Sequence, residues 1–372
     1  MINSNRMVEE FLELVKIDSP SGKERQLAGA IKKKLLLMGL TVFEDEANKA
    51  VNGNCGNLFA YLKGNRPAAP TLLFSAHLDR VKPGEGIRPL LQDGILCSDG
   101  STILAADDVA GIVQILEGVR HLQETSAPCG NIEILLTVGE EASLMGSRYV
   151  DPALLQAKIG YVLDGEGDVG TIINRAPAQE NLTVTITGKA AHAGICPEKG
   201  INAVQVAARA ISGMKLGRID EETTANIGLI SGGKATNIVC EEVVIACEAR
   251  SLSPHKLEKQ LKHMSQRFHN AARQSGAAVS LEKGLCYPAI YIGESEAPVT
   301  LAIKAVQRLG LQPKVIGTGG GSDANILNGK GIPTVVLGVG YENVHSTTEN
   351  MPVEQLLAGA GLVASLIECA GN

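Results

Sequence analysis

Two histidines and a scatter of carboxylates fall where apolar runs of this chain end. His77 and Asp79 follow the run 71–76, Glu140 and Glu141 follow 132–138, Asp164 closes 159–163, and His345 lies in the loop after 333–339. Asp107 and Asp108 stand at the head of a helical pattern that runs to Leu122. Taken singly, each has an ordinary explanation: a hydrogen-bonded loop, a helix cap, a solvated Glu pair, a turn former. Together, five or six anionic and imidazole groups on one rim would repel and desolvate one another unless a cation compensates them. Imidazoles and carboxylates without a thiolate suit Zn²⁺, with Mn²⁺ or Co²⁺ as alternatives, and differ from a closed cysteine site. The donors exceed the needs of one ion. Two ions about 3.5–4 Å apart, bridged by a carboxylate and a water, would use them all.

Such a rim needs parallel strands, because only then do the run ends gather at one edge, where open α/β sheets bind their ligands. Short apolar runs alternate with a helical face of Val109, Ile112, Val113, Leu116 and Val119, which implies a parallel sheet covered by helices. Between about 180 and 290 the rhythm changes to strand, helix, strand, strand, helix, strand. The strands lie near 182–186, 225–230, 243–249 and 278–285, and Ser253 is placed to cap the second helix. The order βαββαβ is that of a ferredoxin-like unit. The chain therefore reads as an α/β domain, residues 1–179 and 292–372, interrupted by a smaller one at 180–291.

Composition narrows the function further. The 372 residues carry 34 Lys and Arg against 40 Asp and Glu, a net charge of −6, which argues against nucleic acid as a partner. Eight cysteines form no C-x-x-C pair and read as reduced thiols. Glu9, Glu10 and Glu13 stand where a signal peptide would need a basic flank and an apolar centre, and no uncharged apolar stretch approaches the ~18 residues of a membrane span. These features lead us to expect a cytoplasmic protein with no membrane partner.

Five segments, Ser75-Ala76-His77-Leu78-Asp79, Ala106-Asp107-Asp108-Val109-Ala110-Gly111, Val138-Gly139-Glu140-Glu141, the Asp164 strand end and Asn343-Val344-His345, resemble the motifs of the co-catalytic zinc exopeptidases in order and spacing. That family includes peptidase T, carboxypeptidase G-type enzymes and aminoacylases. The resemblance covers nearly the whole chain, including a lid signature at Gly188-Lys189-Ala190-Ala191-His192-Ala193-Gly194. It is strongest to the peptidase T-like branch, through Ala235-Thr236-Asn237-Ile238-Val239, Glu248-Ala249-Arg250-Ser251 and Gly319-Gly320-Gly321-Ser322-Asp323.

The resemblance implies a mixed, largely parallel sheet in the catalytic domain and an inserted lid through which two copies form a homodimer. It implies two Zn²⁺ ions: His77 and Asp164 hold one, Glu141 and His345 the other, and Asp107 bridges them. Asp79 is expected to accept the second N–H of His77 through its carboxylate, and Glu140 to act as general base. His192 is expected to stabilise the oxyanion across the dimer, Asn237 and Arg250 to bind a peptide's terminal carboxylate, and the backbone at Gly320, Gly321 and Ser322 to approach the peptide closely. Two departures stand out. Arg80 takes the place of a usual Thr and is expected to set a positive charge near the rim, while Val109 replaces a usual Lys.

The activity implied is removal of the N-terminal residue of short peptides. A deacylase, carboxypeptidase or dipeptidase would use the same chemistry, a silent dimeric binding protein the same scaffold. A nucleotide site at 317–323 lacks the G-K-[ST] of a P-loop.

Overall fold

A computed structural model describes residues 2–371, which divide into two units. The first comprises the chain up to Asn174, Tyr291–Gly317 and the chain from Ser322 onward; the second comprises Arg175–Ile290 and Thr318–Gly321. The second unit thus starts at Arg175 rather than 180, and it takes in a short return segment that lies far outside 180–291.

The first unit is built on β1 (Leu72–His77), α1 (Ala106–Thr125), β2 (Ile132–Thr137) and β3 (Ile159–Gly165). β1 pairs in parallel with both neighbours, Leu72 standing opposite Ile132 on one side and Ile159 on the other. Every residue of β1 and β2 is buried, as their largely apolar composition suits for strands covered on both faces, and the buried Glu133 of β2 accepts the Gln156 and Ala157 N–H groups. α1 is buried beyond the single face read from its periodicity, since Gln114, Glu117 and Gly118 are also enclosed. Glu117 tolerates this because its carboxylate accepts hydrogen bonds from the Arg6 guanidinium and the Asn3 N–H.

The second unit contains β4 (Ala178–Thr187), α2 (Ala203–Ser212), β5 (Thr223–Gly232), β6 (Glu242–Ser251), α3 (Pro254–Ser275) and β7 (Ala278–Tyr287). The strands are antiparallel in the order β5-β6-β4-β7, the arrangement of a ferredoxin-like sheet, and a short strand, Gly217–Asp220, extends the β5 edge. Alternate residues Leu182, Val184 and Ile186 of β4, with Val243, Ile245 and Ala249 of β6, enter a core closed by Leu257, Leu261, Met264 and Phe268 of α3. Ser253 caps α3 by accepting the Lys256 N–H, and Gly276 ends it in the left-handed conformation.

The chain returns to the first unit with α4 (Asp323–Gly329), β8 (Thr334–Gly338) and α5 (Val353–Gly371). β8 lies parallel to β3, Val335 opposite Tyr161, which completes the parallel centre β2-β1-β3-β8. Antiparallel strands flank it: Leu58–Leu62 beside β2 and Thr171–Ala176 beside β8. α5 has the length and apolarity of a membrane span, but it is a core helix. Leu356, Ala360, Val363 and Leu366 are buried, and a Cβ on Gly118 of α1 would lie only 2.6 Å from Val363.

Candidate metal centre

The four parallel strands bring their carboxyl ends to one edge of the first unit, and seven of the residues singled out above meet there. His77 ends β1, Asp164 lies at the end of β3, and Glu140 and Glu141 occupy the turn after β2. That turn is held by Gly139 in the left-handed region, with the Met145 N–H on the Gly139 carbonyl and the Leu144 N–H on that of Glu140. Asp107 and Asp108 are non-helical at the head of α1. Only glycine fits at position 111, where a Cβ would collide with the Asp108 side chain and the Leu163 carbonyl, so the helix can sit directly over β3.

Asp107 stands between two donor sets. Its Oδ1 is 2.9 Å from His77 Nε2, and its Oδ2 is 3.3 Å from His345 Nε2. Asp164 Oδ1 lies 3.9 Å from His77 Nε2, and Glu141 Oε1 lies 2.9 Å from His345 Nε2. Ligand atoms of His77, Asp107 and Asp164 therefore form one group, and those of Asp107, Glu141 and His345 another, each within 4.8 Å throughout. Were each group to hold an ion, three protein donors with one carboxylate shared would leave open positions for water and substrate.

Charge explains what this arrangement is suited to hold. Burial pushes the carboxyls of Asp164 and Glu140 well above the usual range, and neighbouring carboxylates push them further, Asp107 acting on Asp164 and Asp164 on Glu140. Burial would also raise Asp107, but hydrogen bonds from His345 and His77 outweigh it and hold that group low. His77 is raised because the Asp107 carboxylate, which accepts from its Nε2, and the nearby Asp79 carboxylate overcome its desolvation, and His345 is raised to about 10 by Asp107 and Glu141. Protons on the imidazoles thus do the neutralising that a divalent cation would do more completely. The donor chemistry fits a pair of such ions.

His77 Nδ1 is 2.9 Å from the backbone carbonyl oxygen of Asp79. A carbonyl only accepts, so Nδ1 carries the proton and Nε2 faces the donor group. This corrects the expectation for Asp79, whose carboxylate is 3.6 Å from that nitrogen. The carboxylate is engaged elsewhere: it accepts the N–H groups of Glu140 and Glu141 at 2.9 and 3.2 Å and the Ser21 hydroxyl at 2.6 Å. Asp79 therefore orients the turn that carries Glu140.

Arg80 also departs from expectation. Arg80 is 2% exposed and donates to the Val15 carbonyl at 2.8 Å, so its guanidinium is enclosed by protein rather than open to the rim, with Asp18 and Glu349 the carboxylates that act on it. Val109 is buried in α1.

Within the second unit, His192 is exposed and its Nδ1 accepts the N–H groups of Gly194 and Ile195, which leaves Nε2 as the proton carrier. Asn237 is exposed, and its carbonyl accepts the Ala193 N–H. Arg250 is half-buried and bonded through Nε and Nη2 to Glu248. The Gly320 N–H donates to Thr318 Oγ1, and a Cβ on Gly321 would collide with the Tyr287 ring. Ser322 belongs to the first unit, where its hydroxyl caps α4.

Buried carboxylates that had been given no role, Asp323 of the Gly319–Asp323 motif among them, complete the surroundings. Glu24 accepts the Gly139 N–H, Asp323 accepts the Thr137 hydroxyl, and Glu349 accepts three backbone N–H groups ahead of Asp107. Glu349 stands four positions after His345; that nearness was the only signal for it.

Residues 73–368 match Peptidase family M20/M25/M40. Aminopeptidase PepT from Bacillus cereus ATCC 10987 superposes with a TM-score of 0.93 at 44% identity, over 100% of both chains. A tripeptidase from Staphylococcus aureus superposes at 0.96 with 42% identity, over 100% of this chain and 99% of that one. An uncharacterised protein of Bacillus subtilis, YqjE, is 45% identical over 372 residues, the full length of both. With a family match that spans most of its length and carries the ligand groups of both donor sets, the chain belongs to Peptidase family M20/M25/M40 and is a hydrolase.

Proposed function

We propose that the protein is a dinuclear zinc aminopeptidase that removes the N-terminal residue from short peptides, tripeptides foremost. The observation that carries this reading is the carboxylate of Asp107, which turns one oxygen to each of two imidazoles. His77 and Asp164 would hold one ion with Asp107, and Glu141 and His345 the other. Bound there, the ions polarise a scissile carbonyl and acidify water.

The remaining steps belong to the chain. Glu140 takes a proton from the attacking water and returns it to the leaving amine, with its turn held by Asp79 and Glu24. The carbonyl of Asp79 keeps the His77 proton on Nδ1. His192 offers an N–H at Nε2 for the oxyanion, and Asn237 and Arg250 are our candidates for a peptide carboxylate, with the Arg250 guanidinium already oriented by Glu248. Gly320, Gly321 and Ser322 would contribute backbone rather than side chain, since the Ser322 hydroxyl is spent on its cap. Tripeptides are the natural class to test because the Staphylococcus aureus relative is a tripeptidase.

We read the second unit as a dimerisation module, a view supported by the exposed Leu229, Ile230 and Val244 on β5 and β6. Eight free cysteines fit a reducing cytoplasm.

The test measures metal content, then hydrolysis of tri-alanine, di-alanine and N-acetylalanine with and without chelator. We expect two ions per chain and chelator-sensitive cleavage of tri-alanine. Cleavage that persists after full metal removal would overturn the mechanism, and cleavage of acylated substrates alone would overturn the specificity.

A further inference from the structure

We propose that Glu349 is a positioning residue that sets the Asp107 carboxylate between the two imidazoles. The inference rests on the dinuclear reading above and assigns the residue that holds its shared ligand in place.

The Glu349 side chain is 1% exposed. Its Oε2 accepts the N–H groups of Leu104 at 2.7 Å and Ala105 at 2.8 Å, and its Oε1 accepts that of Asp107 at 3.0 Å. These donors converge because Ala105 takes a left-handed turn, φ 59°, just ahead of Asp107. At its other end Glu349 is folded into the segment of His345, with its N–H on the Ser346 carbonyl at 3.1 Å. One side chain therefore joins the segment that supplies the shared carboxylate to the segment that supplies the second imidazole. Asp107 Oδ2 and His345 Nε2 stand 3.3 Å apart across that junction.

The chemistry of the group points the same way. Burying an ionisable carboxylate is costly unless its oxygens are hydrogen-bonded. A carboxylate is needed where several N–H groups must be taken by two oxygens at once. Glutamine has one acceptor oxygen, and its NH₂ would face a donor.

The experiment uses the full chain, stripped of metal and titrated with Zn²⁺ by chelator competition and with Co²⁺ by visible absorption. E349Q is the near-isosteric variant, and E349A is the larger truncation. E133Q is the control, because Glu133 is likewise buried and accepts two backbone N–H groups, those of Gln156 and Ala157, with no tie to either donor set. We expect E349Q to weaken at least one ion about tenfold or more, to alter the Co²⁺ spectrum, and to lower kcat on tri-alanine with little change in KM. E133Q should lower Tm and leave both ion affinities at the parental values. If the parent chain fails to bind two ions, the dinuclear reading falls whatever Glu349 does. If the parent binds two and E349Q binds both with parental affinities and spectrum, the inference about Glu349 alone is overturned, even if its Tm drops. Should E349A fail to fold, E349Q carries the comparison.

Discussion

His345 Nε2 lies 2.9 Å from Glu141 Oε1 although 204 positions separate the two residues. The same imidazole lies 3.3 Å from Asp107, which makes that carboxylate common to both donor sets. Ligands of the two sets should therefore fail in different ways when removed.

Asp107→Asn should weaken both ions, whereas His345→Ala should leave one ion bound through His77, Asp107 and Asp164. Counting zinc per chain after gel filtration at low free metal checks this. Equal stoichiometry in the two variants would contradict a shared role for Asp107.

Glu140→Gln should keep both ions and lower kcat on tri-alanine by about 10²–10⁴-fold, the usual contribution of a positioned acid–base group. The check pairs steady-state rates with metal content. A drop explained by lost metal would move Glu140 from base to ligand.

Arg80→Thr should destabilise the fold without changing the preference between neutral and acidic peptides. The guanidinium is enclosed and bonded to the Val15 carbonyl, and burial pushes its pKa down to about 10. Urea unfolding and a small peptide panel separate the two effects; a changed substrate ranking at unchanged stability would restore a recognition role.

Phe268→Ala should cost about 3–5 kcal/mol, because the ring is fully buried between α3 and the sheet of the second unit. Chemical denaturation monitored within that unit measures the loss. A cost under ~1 kcal/mol would mean that the neighbouring Leu261 and Met264 close the gap.

The parallel centre of the first unit was legible because its strands are continuous apolar runs, and each leads into a His, Glu or Asp. The ferredoxin-like order was legible from alternation in β4 and β6 and from the cap at Ser253. The short strand Gly217–Asp220 was not, since only Ile219 in it is apolar. The role of the Asp79 carboxylate was misplaced for a geometric reason: its spacing from His77 permits two acceptors, and only the folded backbone brings the carbonyl nearer than the side chain. Glu349 was illegible because its partners lie about 245 positions away and converge only through a left-handed turn at Ala105.

The spread of the donors along the chain sets when the centre can exist during synthesis. β1, β2 and β3 emerge early, but β8 and the loop bearing His345 come close to the end. A polypeptide halted ahead of β8 keeps three of the parallel strands and four of the five donors, and lacks His345. On the dinuclear reading proposed above, the second donor group becomes complete only when translation is nearly over.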